Sequence, residues 1–197
     1  MSSLAELRGN LASRITRPAL GVLSRTGLKP DVLTLLGLAI NIGAACLIAI
    51  HHFLAAGILI LLAGLFDLLD GALARFTNRS TKFGALLDSV TDRISEAAIF
   101  CGLLVWYMST GSDLEIVLVF AALVGSFLVS YIRARAEGMM LECHVGLFTR
   151  AERVIVLAAG LILDQVFIAL WVLVVFVYVT VVERLFYIWR KAKAGGD

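Results

Sequence analysis

The stretch Phe66–Arg93 reads FDLLDGALARFTNRSTKFGALLDSVTDR and places four carboxylates, Asp67, Asp70, Asp88 and Asp92, where one apolar run ends and the next begins. A carboxylate inside a membrane span costs at least about 2.5 kcal/mol, so acids in such places are functional suspects by default. Asp67 and Asp70 stand at i, i+3, and Asp88 and Asp92 at i, i+4. Each pair therefore shares one helix face. A short basic turn joins the two runs, so the helices are antiparallel neighbours and all four carboxylates can converge.

The rest of the chain agrees with a membrane setting. Of 197 residues, 60% are hydrophobic and 16% charged, and the mean hydropathy is +0.95. Soluble domains are about half apolar and about a quarter charged. Disorder needs the opposite composition. A net charge of +2 argues against a nucleic-acid partner. Cys46, Cys101 and Cys143 lie far apart with no CxxC pair, which suggests neither a disulfide framework nor a zinc site. Residues 1–32 carry five basic residues and no long apolar core, so the first apolar run reads as a retained span rather than a cleaved signal.

Six apolar runs cover roughly 33–51, 53–75, 83–108, 115–134, 152–163 and 166–189. In lipid the backbone must satisfy its own hydrogen bonds, so these are expected to be helices. The predicted fold is all-α, a single domain over 1–197. Residues 1–30 form a juxtamembrane segment and 31–190 a bundle of six transmembrane helices. Leu4, Leu7, Leu11 and Ile15, with Arg8, Arg14 and Arg17 between them, predict an amphipathic surface helix ahead of the bundle. The basic residues fall before span 1, between spans 2 and 3, around the link from span 4 to span 5, and at the C-terminal end. The turns near His51–His52, Ser109–Glu115 and Asp164–Gln165 contain no lysine or arginine. By the positive-inside rule, both termini and the acidic face point to the cytoplasm of a cell-membrane protein.

Four carboxylates brought together repel one another unless they are protonated or share a cation. Oxygen-only ligands favour magnesium, manganese or calcium. Two such ions suit transfer of a phosphoryl-type group. Gly71, Ala74 and Gly84 are small residues beside the acids, able to admit a bulky ligand or a close helix. Arg75, one turn past Asp70, suits a phosphate or an interfacial anchor. The alternative for the acids is a set of structural ion pairs with Arg75, Arg79 or Arg93.

Asp67-x-x-Asp70-Gly71-x-x-Ala74-Arg75, eight residues, then Gly84-x-x-x-Asp88-x-x-x-Asp92 resembles the signature of the CDP-alcohol phosphotransferases, with all eight positions filled. The resemblance implies an integral membrane enzyme of phospholipid synthesis, usually a homodimer. Such enzymes move a substituted phosphate from a CDP-linked lipid to an alcohol and release CMP. It implies that Asp67, Asp70 and Asp88, helped by Asp92, hold two divalent ions, Mg2+ or Mn2+, and that Asp92 is the general base on the acceptor hydroxyl. Gly71, Ala74, Arg75 and Gly84 would line the donor site together with Asp67. Asp31 and Thr34, in Pro30-Asp31-Val32-Leu33-Thr34, resemble a further nucleotide-binding motif of the family; read alone, this is a helix start.

The second half bears on the acceptor. Arg133, Arg135, Arg150, Arg153 and Arg184 all belong on the acidic side, and arginines suit an anionic group such as a phosphate. They also satisfy the positive-inside rule, which is the plainer account. Ser130-Tyr131-Ile132-Arg133-Ala134-Arg135-Ala136-Glu137, Thr149-Arg150-Ala151-Glu152-Arg153 and Arg184-Leu185-x-x-x-Trp189 resemble segments of bacterial phosphatidylinositol-phosphate synthases and their archaeal ether-lipid relatives. This implies a CDP-diacylglycerol-type donor, an inositol phosphate acceptor and acceptor-phosphate binding by Ser130 and these arginines. Two departures stand out: the turn before span 4 is acidic (Asp113, Glu115), and Arg133 occupies a place where lysine is common. The main rival is a phosphatidylglycerol-phosphate synthase acting on glycerol 3-phosphate. A divalent-cation transporter is a distant one, since the acids sit near one face rather than along a path. Glu96, one turn beyond Asp92, is expected to make supporting hydrogen bonds.

Overall fold

The computed structural model describes residues 30–76, 81–141 and 145–194, less the side chains of residues 30, 71, 74–76 and 194. The predicted surface helix lies outside the described residues. Those residues form six helices and no strand: α1 Pro30–Ala49, α2 Phe53–Phe76, α3 Lys82–Thr110, α4 Asp113–Gly138, α5 Arg150–Ile162 and α6 Val166–Ala194. All six expected runs are helical, with ends shifted by up to five residues.

α1 begins at a proline, and Asp31 lies in its first turn, complementing the helix dipole. Its C-terminus closes with His51 at φ 62° and the His52 N–H donating to Leu47 O at 2.8 Å. α3 closes the same way through Gly111 at φ 70° and the Ser112 N–H on Tyr107 O. α5 does so through Asp164 at φ 53° and the Gln165 N–H on Gly160 O at 2.7 Å. These left-handed caps satisfy terminal carbonyls and reverse the chain within a few residues. The His51 ring stacks on Trp106 near the end of α3, centroids 4.1 Å apart, which ties two of the turns to one end of the bundle. The acids lie toward the opposite end.

α1 packs on α2 and α3, α2 on α5, α3 on α4, and α4 and α5 on α6. Ile48, Ile60, Phe100, Leu103, Val119, Leu161, Leu170 and Val177 fill the middle. At Gly102 the α1 backbone is so close that a Cβ would collide with Ala45 O and lie 3.1 Å from its Cα. The outside is apolar too, with Leu35, Leu36, Leu61, Val117, Phe120, Val175 and Val182 all exposed. A soluble monomer does not present such a surface; lipid solvates it.

Four helices are long and apolar enough to cross a membrane: α1, α2, α4 and α6. α3 is 29 residues long, but its N-terminal half carries Asp88, Asp92, Arg93 and Glu96. α5, with 13 residues, is about 20 Å long at the usual rise, short of a bilayer core of about 30 Å. The protein is therefore integral to a membrane, with these four helices as its candidate spans.

Candidate active site

The last turns of α2 and the first turns of α3 deliver the acids. Asp67, Asp70 and Asp88 each offer a carboxylate oxygen, all within 4.8 Å of one another. Asp70 is 4% exposed, and the Thr34 hydroxyl of α1 donates to its Oδ2 at 2.7 Å. Asp92 falls outside this trio. Arg150 Nη1, at the first turn of α5, lies 2.7 Å from Asp67 Oδ2 and 2.7 Å from Asp92 Oδ1, bridging the two helices. Arg93 approaches Asp92 Oδ2 at 3.5 Å while donating to its own helix at Ser89 O. Among the described residues, the cation that reaches both Asp67 and Asp92 thus comes from α5, 83 residues from Asp67. Arg75 and Arg79 are the other partners that the alternative of structural ion pairs names. The Arg75 side chain and the whole of Arg79 lie outside the described residues.

Thr81 caps α3 by accepting the Gly84 N–H at 2.9 Å. A Cβ on Gly84 would lie 3.0 Å from Thr81 Oγ1 and 3.2 Å from Asp31 Oδ1. Gly84 therefore marks where the starts of α1 and α3 meet, which puts Asp31 beside the acidic helix ends. Gly71 and Ala74 sit on the last turns of α2, their side-chain surroundings outside the described residues.

Thr34, Asp67, Asp70 and Asp92 line a small recess. Beside it opens a cavity of about 480 Å3, walled by α1, α2, α3, α5 and α6 and shared by Asp67, Glu96, Arg150 and Arg153. Arg150 borders both spaces. Glu152 accepts the Thr149 N–H at 2.8 Å and the Thr149 hydroxyl, fixing the start of α5 and hence Arg150 and Arg153.

The expected acceptor residues separate. Arg150 is on the acids. Arg153 pairs with Glu96. Arg184, 4% exposed, donates to Val145 O at 3.0 Å and Val129 O at 2.6 Å, anchoring the segment ahead of α5. Arg133 pairs with Glu137 on the exposed face of α4, and Arg135 is exposed beside it. Ser130 is half-buried. Sequence reasoning missed Asn41 and Ser95, buried polar residues lining both spaces. An asparagine within an apolar span was the available signal.

Three buried or half-buried carboxylates with one locked by a hydroxyl fit a hard divalent cation. A family model described as CDP-alcohol phosphatidyltransferase matches residues 28–189. The chain belongs to the CDP-alcohol phosphatidyltransferase family. It is 38% identical to the phosphatidylinositol phosphate synthase of Mycobacterium tuberculosis over 98% of this chain and 94% of that one. It superposes on the crystal structure of the M. tuberculosis enzyme with CDP-DAG bound at TM-score 0.81 and 36% identity, covering 89% of this chain and 94% of that one. The structure of that enzyme in complex with manganese and citrate gives TM-score 0.82 and 36% identity, covering 88% of each chain. The transporter reading ends here: the protein is a phosphatidyltransferase of phospholipid synthesis.

Proposed function

We propose that this CDP-alcohol phosphatidyltransferase moves the phosphatidyl group of CDP-diacylglycerol to a hydroxyl of inositol phosphate, giving phosphatidylinositol phosphate and CMP. The observation that carries this reading is the convergence of Asp67, Asp70 and Asp88 within 4.8 Å at a cavity that Arg153 also lines. A 38% identical phosphatidylinositol phosphate synthase supports the acceptor.

Asp67, Asp70 and Asp88 would hold two divalent ions, magnesium or manganese, with Asp92 assisting one of them. Bound there, the ions neutralise charge on the donor diphosphate and on departing CMP. Asp92 takes the proton of the acceptor hydroxyl as the hydroxyl oxygen bonds to the phosphatidyl phosphorus and the P–O bond to CMP breaks, and Arg150 orients the Asp92 carboxylate. Asp31, Thr34, Gly71, Ala74, Arg75 and Gly84 are assigned to the nucleotide. Arg153 is assigned to the acceptor phosphate, with Ser130, Arg133, Arg135, Arg150 and Arg184 as further members of that basic side. All six helices would cross the membrane, with the acidic end toward the cytoplasm, consistent with the absence of lysine and arginine from the three opposite turns.

The test is CMP release from CDP-diacylglycerol by purified protein with magnesium, supplying inositol 1-phosphate, glycerol 3-phosphate, free inositol and serine separately. Release with inositol phosphate alone is expected. Release with glycerol 3-phosphate alone would make the enzyme a phosphatidylglycerol-phosphate synthase.

A further inference from the structure

Behind the acidic cluster, Arg153 and Glu96 form the most deeply buried ion pair among the described residues, with side-chain exposures of 3% and 10%. Arg153 Nε donates to Glu96 Oε1 at 2.7 Å and Nη2 donates to Oε2 at 3.0 Å. This is a two-pronged grip along the side of the guanidinium. An arginine carries five N–H donors in a rigid plane. Glu96 takes two of them, and among the described residues no further acceptor meets the others. Those remaining donors form the end-on fork, shared between Nη1 and Nη2, which matches the spacing of two phosphate oxygens. Both residues line the cavity of about 480 Å3 that also touches Asp67 and Arg150. Its wall is otherwise largely apolar, with Ile60, Leu65, Ile99 and Leu157 among its residues. Besides Arg153, the side chains there that can donate to an anion are those of Arg150, Asn41 and Ser95.

Glu96 continues the Asp88–Asp92 face of α3 by one more turn. Without a carboxylate at 96, the nearest acid along that helix is Asp92. A released Arg153 would be drawn toward it and away from the cavity. A buried pair of this kind adds little net stability by itself; its consequence is orientation.

We propose that Glu96 is a positioning residue: its carboxylate grips one edge of Arg153 so that the opposite fork of the guanidinium receives the phosphate of the acceptor alcohol. The proposal rests on the assignment of Arg153 to the acceptor phosphate.

Steady-state kinetics of the full-length protein, with CDP-diacylglycerol and inositol 1-phosphate varied independently, test it. Glu96→Gln is expected to raise the acceptor KM about tenfold while leaving kcat and the donor KM within about twofold. Glu96→Asp, which keeps the charge on a shorter arm, should fall between Gln and wild type. Arg153→Ala should raise the acceptor KM at least as far, and adding Glu96→Gln to it should change little, because the two residues act as one unit. Should Glu96→Gln fail to fold, Glu96→Asp and Arg153→Lys carry the test. Lysine keeps the charge but has no fork, so the acceptor KM should still rise. An unchanged or lowered acceptor KM in Glu96→Gln, beside a raised one in Arg153→Ala, overturns the positioning role alone. A common fall of kcat, both affinities and thermal stability overturns it in favour of a scaffold role. An unchanged acceptor KM in Arg153→Ala overturns the phosphate assignment itself.

Discussion

Thr34 shows how much of this site depends on single atoms. Its hydroxyl donates to Asp70 Oδ2 at 2.7 Å, which restricts the carboxylate's rotation. Removing such a supporting contact typically lowers metal affinity by about 10–100-fold. Thr34→Val should weaken Mn2+ binding, followed by electron paramagnetic resonance titration, by roughly tenfold; unchanged binding would show that Asp70 needs no such restraint. Asp92 is a different case, held by Arg150 rather than gathered with the other three acids. Asp92→Asn should abolish turnover, by at least about a hundredfold, while CDP-diacylglycerol binding persists. Wild-type activity would remove the general base. The two substitutions would separate the two functions proposed for this acidic end: holding charge and moving a proton.

At the scale of elements, α5 is the one that the site most depends on. It is the shortest helix described, yet it supplies Arg150 to the acids and Arg153 to the cavity. Its N-terminus is fixed by Glu152 on Thr149 and by the segment that Arg184, Thr180 and Glu183 of α6 hold through Val145 O, the Phe148 N–H and the Leu147 N–H. Close helix contact does the same work elsewhere. Gly102 of α3 lies against the Ala45 backbone of α1 with no room for a methyl group. Gly102→Ala forces the two helices apart and should destabilise the protein by about 1–3 kcal/mol, read as a lowered unfolding temperature in detergent. A tilt of α3 against α1 would also displace Asp88 from Asp70, so activity should fall with stability. Retention of both would mean that the helices slide freely at this crossing.

Across the described molecule, lysine and arginine are absent from the three turns opposite the acidic cluster, and apolar surface covers the sides. A chelator should abolish activity, and added Mg2+ or Mn2+ should restore it; turnover that survives chelation would break the metal reading. Orientation has its own test. In a background without native cysteines, Ser112→Cys should react with an impermeant maleimide on intact cells, and Lys82→Cys only after permeabilisation. The reverse pattern would invert the protein.

The two acidic pairs, their helix faces and the family were legible in the sequence, because i, i+3 and i, i+4 spacing fixes direction along a helix and hydropathy fixes the helices themselves. All six helices were legible for the same reason. What a spacing rule cannot reach is which distant side chain meets which. That Arg150 rather than Arg93 is the main cation on Asp92, and that Arg153 closes on Glu96 while Arg133 stays with Glu137, follows from α5 packing against α2. Five arginines on one side satisfy the same topology rule. Only the packed bundle sorts them, because an unpaired charge is costly at low dielectric and each buried guanidinium takes the acceptor that the fold brings within reach.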